Sequence, residues 1–366
     1  MLAASLTQCQ RDIADRHVRP DDLTAFVQSC TTLLPIAALW WATPVAEDAS
    51  PWLTLGLMAL MTLFLLRVFV MMHECGHGSL FRTQELNRVF GFVFGVIAGM
   101  PQYVWSQHHQ YHHSTNGNWS KYRGPMNIIP VQEYAGMTAG QQRRYRVVRS
   151  VWIAPLAGLL YLIVIPRVTW IRGGLALTRD VIAGKLSEPQ VPIAVLARRF
   201  SRPYCASLRE YQHMFWNNVA LMVLWCLMAW AIGPLLFFSC YLLTLSLAGG
   251  VAIILFTVQH NFEHSYASED QGWDRNTAAI HGTSFLILPP VLNWFTANIA
   301  YHHVHHLCAR IPNYCLVQCH KEQSAMFADV TRITLLQIPG ALKYILWDQA
   351  GRRLISVAEH LSRATA

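Results

Sequence analysis

Apolar residues in this chain fall in long blocks rather than alternating with polar ones. Four blocks approach or reach the roughly 20 residues that a helix needs to cross a bilayer. The first runs from Thr31 to Ala46 and the second from Pro51 to Met72, parted by the acidic turn Glu47-Asp48. The third runs from Phe215 to Ile232 and the fourth from Leu235 to Val258, parted by Gly233-Pro234. Turns this short predict two tight helical hairpins. Two weaker stretches, Phe90 to Trp105 and Val151 to Ile165, have about the length at which interfacial or re-entrant segments compete with spans. Glycines and Pro101 interrupt the first, and Pro166 bounds the second. Both are expected to lie at the interface.

Composition agrees with a membrane protein. Hydrophobic residues make up 53% of the 366 and charged ones only 13%, against roughly 25% charged in soluble domains. The formal charge of +8 is not gathered into one run, so nucleic-acid binding finds no support. Its distribution orients the chain instead. The two hairpin turns contain no Lys or Arg, whereas Ser106 to Ser150 and Pro166 to Met214 contain many, including Arg143, Arg144, Arg146, Arg149, Arg198 and Arg199. Basic loops stay cytoplasmic, which puts both termini and every histidine cluster on that side. Met1 to Asp22 is polar and lacks the apolar run of a cleaved signal peptide. The expected fold class is an all-α integral membrane protein of two transmembrane helical hairpins (four spans) with a cytoplasmic helical cap. A cytoplasmic N-terminal segment (1–30), a catalytic membrane domain (31–314) and a cytoplasmic C-terminal segment (315–366) divide the chain. The nine cysteines are irregularly placed and read as reduced thiols. Cys315, Cys319 and His320 have poor spacing for zinc.

Histidine carries the chemistry. Twelve of the 17 histidines fall in four short clusters. They are His73-Glu74-Cys75-Gly76-His77, His108-His109-Gln110-Tyr111-His112-His113, His260-Asn261-Phe262-Glu263-His264 and His302-His303-Val304-His305-His306. His73 with His77, and His260 with His264, are four apart and would share one helical face. His109, His112 and His113 form H-x-x-H-H, as do His302, His305 and His306. On a helix the outer two of each triplet share a face. The inner one points about 100° away, toward a neighbouring metal. Burying so many imidazoles beside a bilayer is costly unless something uses their lone pairs. Imidazole suits iron, zinc or copper, whereas calcium and magnesium want oxygen. This many histidines exceeds a four-ligand zinc site and points to two six-coordinate-capable ions, hence non-haem iron. Glu74 and Glu263 are expected to orient imidazole N–H groups. His17, His213, His281, His320 and His360 read as structural. Paired histidines can also hold haem, but haem does not explain adjacent doublets on polar segments. A metal transporter would need ionisable residues within the spans, which contain little beyond Arg67.

These residues resemble the three histidine boxes of membrane fatty acid desaturases: H-E-C-G-H at 73–77, H-x-x-H-H at 109–113 and H-x-x-H-H at 302–306. The flanking Val258-Gln259-His260-Asn261-Phe262-Glu263, Asn293 to Leu307, and Arg310-Ile311-Pro312-Asn313-Tyr314 are similar to bacterial acyl-lipid desaturases. The resemblance implies a di-iron ligand set of His73, His77, His109, His112, His113, His302, His305 and His306. His260 and His264 are the candidates for a further ligand. His108 and His303 are extra to the pattern. It also implies an O2-dependent enzyme of the bacterial inner membrane, with its active site facing the cytoplasm, that introduces a cis double bond into a lipid acyl chain. A hydroxylase or ketolase of acyl, alkane or carotenoid substrates is the nearest alternative. No flavin, nicotinamide or iron–sulfur fingerprint is present, so electrons are expected from a ferredoxin-like or cytochrome donor.

Overall fold

The computed structural model describes residues 2–124 and 126–365; the ends of the 1–30 and 315–366 segments, Met1 and Ala366, lie outside them. A short helix α1 (Leu2–His17) precedes the first hairpin, α2 (Asp22–Ala49) and α3 (Pro51–His77). Only Ser50 separates these two helices. Its hydroxyl accepts from Trp52 N at 3.3 Å, and Pro51 in the first turn forfeits no hydrogen bond. Both helices outrun the apolar blocks. α3 carries its helix through the first histidine cluster to His77 and stops at Gly78 (φ +65), a left-handed cap that favours glycine.

Next come α4 (Gln84–Ile97) and α5 (Gln102–Thr115), bent by 101° at the break between them. They are followed by α6 (Ala139–Val148) and a long helix α7 (Val151–Ser187). The second hairpin is α8 (Leu208–Ile232) and α9 (Pro234–Val258), and the short helices α10 (Pro290–Phe295), α11 (His302–Leu307) and α12 (Asn313–Glu322) follow.

α7 departs from expectation, because Pro166 does not end it. The helix widens into a π turn over Leu160–Val164, and Pro166 sits in the first turn of the segment beyond. Proline offers no N–H to the carbonyl four residues back. The Arg167 guanidinium replaces it, donating to Leu162 O at 2.8 Å, to Ile163 O at 3.2 Å and to Gly99 O at 2.6 Å. By length and hydropathy α7 joins α2, α3, α8 and α9 as a candidate span, and the bent α4–α5 pair is a sixth candidate.

The spans pack at unequal distances. α7 meets α9 backbone to backbone: a Cβ at Gly158 would lie 2.4 Å from Gly249 C and 2.5 Å from Gly250 N. Gly158→Val must push the helices apart, and overpacking of this kind costs roughly 1–3 kcal/mol. A lower melting temperature in detergent is expected, and an unchanged one would show that the contact is slack. Arg67, buried midway along α3, is satisfied locally. It donates Nε–H to Thr32 Oγ1 at 2.9 Å, donates to Trp294 O, and lies 4.0 Å from the Trp294 ring.

Among the described residues the chain is mainly helical, with two small sheets that the all-α expectation lacks. β1 (Ile129–Pro130) pairs in parallel with β4 (Tyr344–Asp348), which pairs antiparallel with β5 (Arg353–Ser356). β2 (Phe285–Ile287) pairs in parallel with β3 (Arg332–Thr334). The C-terminal segment is thereby stitched to the loop after α5. The boundary at 314/315 falls inside α12 rather than between elements.

Candidate metal centre

Two groups of imidazoles meet where α3, α5, α9 and α11 converge. His73, His77, His109, His113 and His305 form the first, and His112, His260, His302 and His306 the second. Within each group the candidate ligand nitrogens all lie within 4.8 Å of one another. A metal–imidazole bond of about 2.1 Å puts neighbouring nitrogens about 3.0 Å apart and opposite ones about 4.2 Å apart. The closest pairs match: His113 Nε2 lies 3.0 Å from His109 Nε2 and 3.1 Å from His305 Nε2. His302 Nε2 lies 2.9 Å from His260 Nε2. The groups abut, with the rings of His113 and His306 stacked at 4.1 Å.

The division between groups follows the helical geometry of H-x-x-H-H. His109 and His113 serve the first group and His112 the second. His302 and His306 serve the second and His305 the first. Each of α5 and α11 thus reaches both centres.

Burial keeps these rings neutral, as metal ligation requires. It pushes His260 down to about 3 and holds His302, His305 and His306 well below the usual imidazole range. Both nitrogens of His112 and Nε2 of His306 are buried without a protein partner. Polar atoms stranded this way in native interiors want an explanation, and a bound cation supplies one. The residues present fit two metal ions.

Supporting contacts are uneven. Glu74 is fully buried, and its carboxylate lies 3.1 Å from His73 Nδ1. It also accepts from Asn313 N at 3.0 Å and Ser79 Oγ at 3.2 Å. Asn298 Nδ2 donates to Asn313 O at 3.2 Å. This chain of contacts ties the first cluster to the loop before the last, a role for Asn313 and Asn298 that spacing does not suggest. Trp105 stacks on His109 at 4.5 Å and donates its indole N–H to Tyr161 Oη at 2.9 Å. Its signal was available: 105, 109 and 113 lie at four-residue intervals on α5.

Two expectations require correction. α9 ends at Val258, so the four-residue spacing of His260 and His264 does not hold on a helix. The chain turns, with Asn261 N donating to Thr257 O at 2.7 Å and Ser265 Oγ to His260 O at 2.7 Å. His264 is left exposed and outside both groups. Glu263 does not orient an imidazole. Its carboxylate accepts from Arg353 Nη1 and Tyr344 Oη, each at 3.0 Å, and so clamps the β4–β5 hairpin. His264→Ala should therefore leave metal content unchanged while His260→Ala lowers it. Metal analysis of the two purified variants checks this, and equal losses would restore His264 to the site.

The remaining histidines stand apart. His108 is exposed. His303 is buried and pairs with His320 at 2.8 Å, behind the centre. His17 meets Glu322 at 3.3 Å, and His213 stacks on Tyr103. Among the described residues Cys315, Cys319 and His320 belong to no metal-binding group.

A cavity of about 760 Å³ reaches the centre from one side. Leu66 and Phe69 of α3, Ala252 and Phe256 of α9, and Tyr161 and Leu162 of α7 line it, and His73, His109, His112 and His302 form its metal-side wall.

An apolar cavity ending on two all-imidazole groups beside long apolar helices defines a histidine-rich membrane metalloprotein. The fatty acid desaturase family profile matches residues 50–333, and the chain belongs to that family. It is 29% identical to a fatty acid desaturase of Bacillus subtilis (strain 168) over 340 residues, 92% of this chain and 87% of the relative. A 51-residue stretch, 14% of each chain, is 39% identical to an endoplasmic-reticulum omega-3 fatty acid desaturase of Nicotiana tabacum. Membership implies an oxidoreductase acting on lipid acyl substrates in membranes.

Proposed function

We propose that this chain is an O2-dependent acyl-lipid desaturase that holds two non-haem irons and introduces a cis double bond. The observation that carries the reading is the seating of both imidazole groups on the wall of one apolar cavity. Iron bound there supplies, with O2 and two external electrons, the power to remove hydrogen from an unactivated methylene. The protein's own task is positioning and exclusion of water. Leu66, Phe69, Ala252 and Phe256 fix the acyl chain laterally, so that one methylene pair faces His109, His112 and His302.

Four crossings are proposed, on grounds of parity. The first cluster, before α4, and the second, in the last turns of α5, share a group, so that pair enters and leaves on one face. His112 and His260 also share a group, so the crossings between them must be even in number. If α8 and α9 both cross, α7 does not. Gly173, midway along α7, packs on Tyr211 near the start of α8, so that part of α7 lies level with the end of α8 from which the second hairpin leaves the cap. Both hairpins then open toward a cytoplasmic cap, in a bacterial inner membrane, and a ferredoxin-like or cytochrome donor docks on that basic face.

The test is lipid profiling in a desaturase-free host expressing the chain. An acyl product two hydrogens lighter, with its double bond at one position, is expected. An unchanged profile with metal-loaded, reduced protein, or a product carrying an added oxygen, overturns the reading.

A further inference from the structure

The junction of α6 and α7 lines the cavity through Val148, Arg149, Ser150 and Val151, and because Val148 and Val151 are also exposed, the cavity has a mouth there. Arg149 fixes one rim: its guanidinium donates to Met126 O at 2.7 Å and Asn127 O at 2.9 Å and lies over the Tyr145 ring. With Tyr145 and Arg149 turned inward, helical geometry puts Arg146, Arg143, Val147, Arg144 and Val148 on the outward arc of α6. All five are exposed. Among the described residues none of those three arginines has a carboxylate within ion-pair reach, and nearby Glu133 is taken by Arg123 at 3.0 Å. Past the junction the exposed surface continues apolar through Val151, Trp152 (87% exposed) and Leu156, onto a helix that leans against span α9.

Unpaired arginines interleaved with exposed valines, next to an exposed tryptophan and continuous with the membrane-facing surface, suit one environment. It is the headgroup layer of a bilayer, where arginine stems lie along apolar surface and their charged ends meet phosphate. A protein partner would have to cover Trp152 and Leu156, which adjoin the span. We propose that the outward face of α6 binds the headgroup of an anionic phospholipid and feeds that lipid's acyl chain through the neighbouring mouth into the cavity. The substrate is then an esterified chain on an anionic lipid in preference to a zwitterionic one. This inference rests on the desaturase reading for its second half, delivery of the chain, but not for its first, headgroup binding.

The test uses the full-length protein and a triple variant, Arg143→Gln/Arg144→Gln/Arg146→Gln. Vesicles contain equal amounts of saturated phosphatidylglycerol and saturated phosphatidylcholine, and mass spectrometry reads the ratio of desaturated products. A preference of about tenfold for phosphatidylglycerol is expected, since each arginine near the surface favours anionic lipid, and the ratio should fall toward unity in the variant. Equal products from both lipids in the unmodified protein overturn the proposal. So does a variant that keeps its preference but loses both products together and recovers with excess electron donor, because the arginines then serve the donor. Binding of fluorescent phosphatidylglycerol to the detergent-solubilised protein is measured alongside. Saturable binding that phosphatidylcholine does not displace, and that the variant loses, supports the headgroup site even if no lipid is desaturated. In that case the desaturase reading fails alone. Absence of such binding overturns the proposal.

Discussion

Replacing His306 by alanine is expected to lower bound metal from about two ions per chain to about one, and to abolish turnover, whereas His305→Ala retains more metal. Even loss of a residue that merely supports a ligand costs about 10–100-fold in metal affinity, so loss of a ligand costs at least that. The asymmetry comes from the groups themselves. His306 belongs to the group of four, with His112, His260 and His302, and its loss leaves three nitrogens. His305 belongs to the group of five, and four remain without it. The two residues are neighbours on one six-residue helix, are both buried, and should perturb folding alike. Metal analysis of the two purified variants, with acyl turnover on the same samples, reads the difference. Equal metal content in both variants would show that the two groups are not separate centres.

That neighbouring residues of each triplet divide between two imidazole groups was legible in the sequence. H-x-x-H-H has meaning only on a helix, and α5 and α11 are helical across both triplets. The hairpins were legible for a similar reason, since apolar runs of that length have few alternatives once hydrogen bonds must be satisfied within the segment. Local pattern stops where tertiary contacts decide. Nothing in Gln259 to His264 is a helix breaker, yet α9 ends at Val258. There Gln259 O accepts from Ser284 N at 2.9 Å and its side chain reaches Ile299 O at 2.9 Å, contacts from far along the chain. Pro166 shows the converse. A proline reads as a stop, and only the distant Gly99 carbonyl and a π turn reveal how Arg167 lets the helix continue. The sheets were illegible because β1 is two residues long and pairs with a strand more than 200 positions away. Glu263 looked like part of a histidine cluster because its real partners, Arg353 and Tyr344, lie in that same remote hairpin.

Ala252→Phe should separate substrate fit from metal binding. Ala252 lines the cavity from α9, six residues before the helix ends at Val258, or about 9 Å along the helix axis from that end. It belongs to neither imidazole group, so both metal sites should remain filled. A phenyl ring projecting there occupies space that the acyl chain beyond the reacting carbons needs. Each buried methylene contributes about 0.8 kcal/mol. Excluding four of them removes about 3 kcal/mol, or roughly two hundredfold in kcat/KM for a long chain. Shorter chains that end before Ala252 should lose little, so the variant's preference shifts toward them. The measurement is kcat/KM against acyl length on protein whose metal content has been verified. A uniform loss at every length, with metal intact, would mean that the chain does not pass Ala252. Its path would then follow Tyr161 and Leu162 along the α7 wall, and Leu162→Phe should produce the length-dependent loss instead.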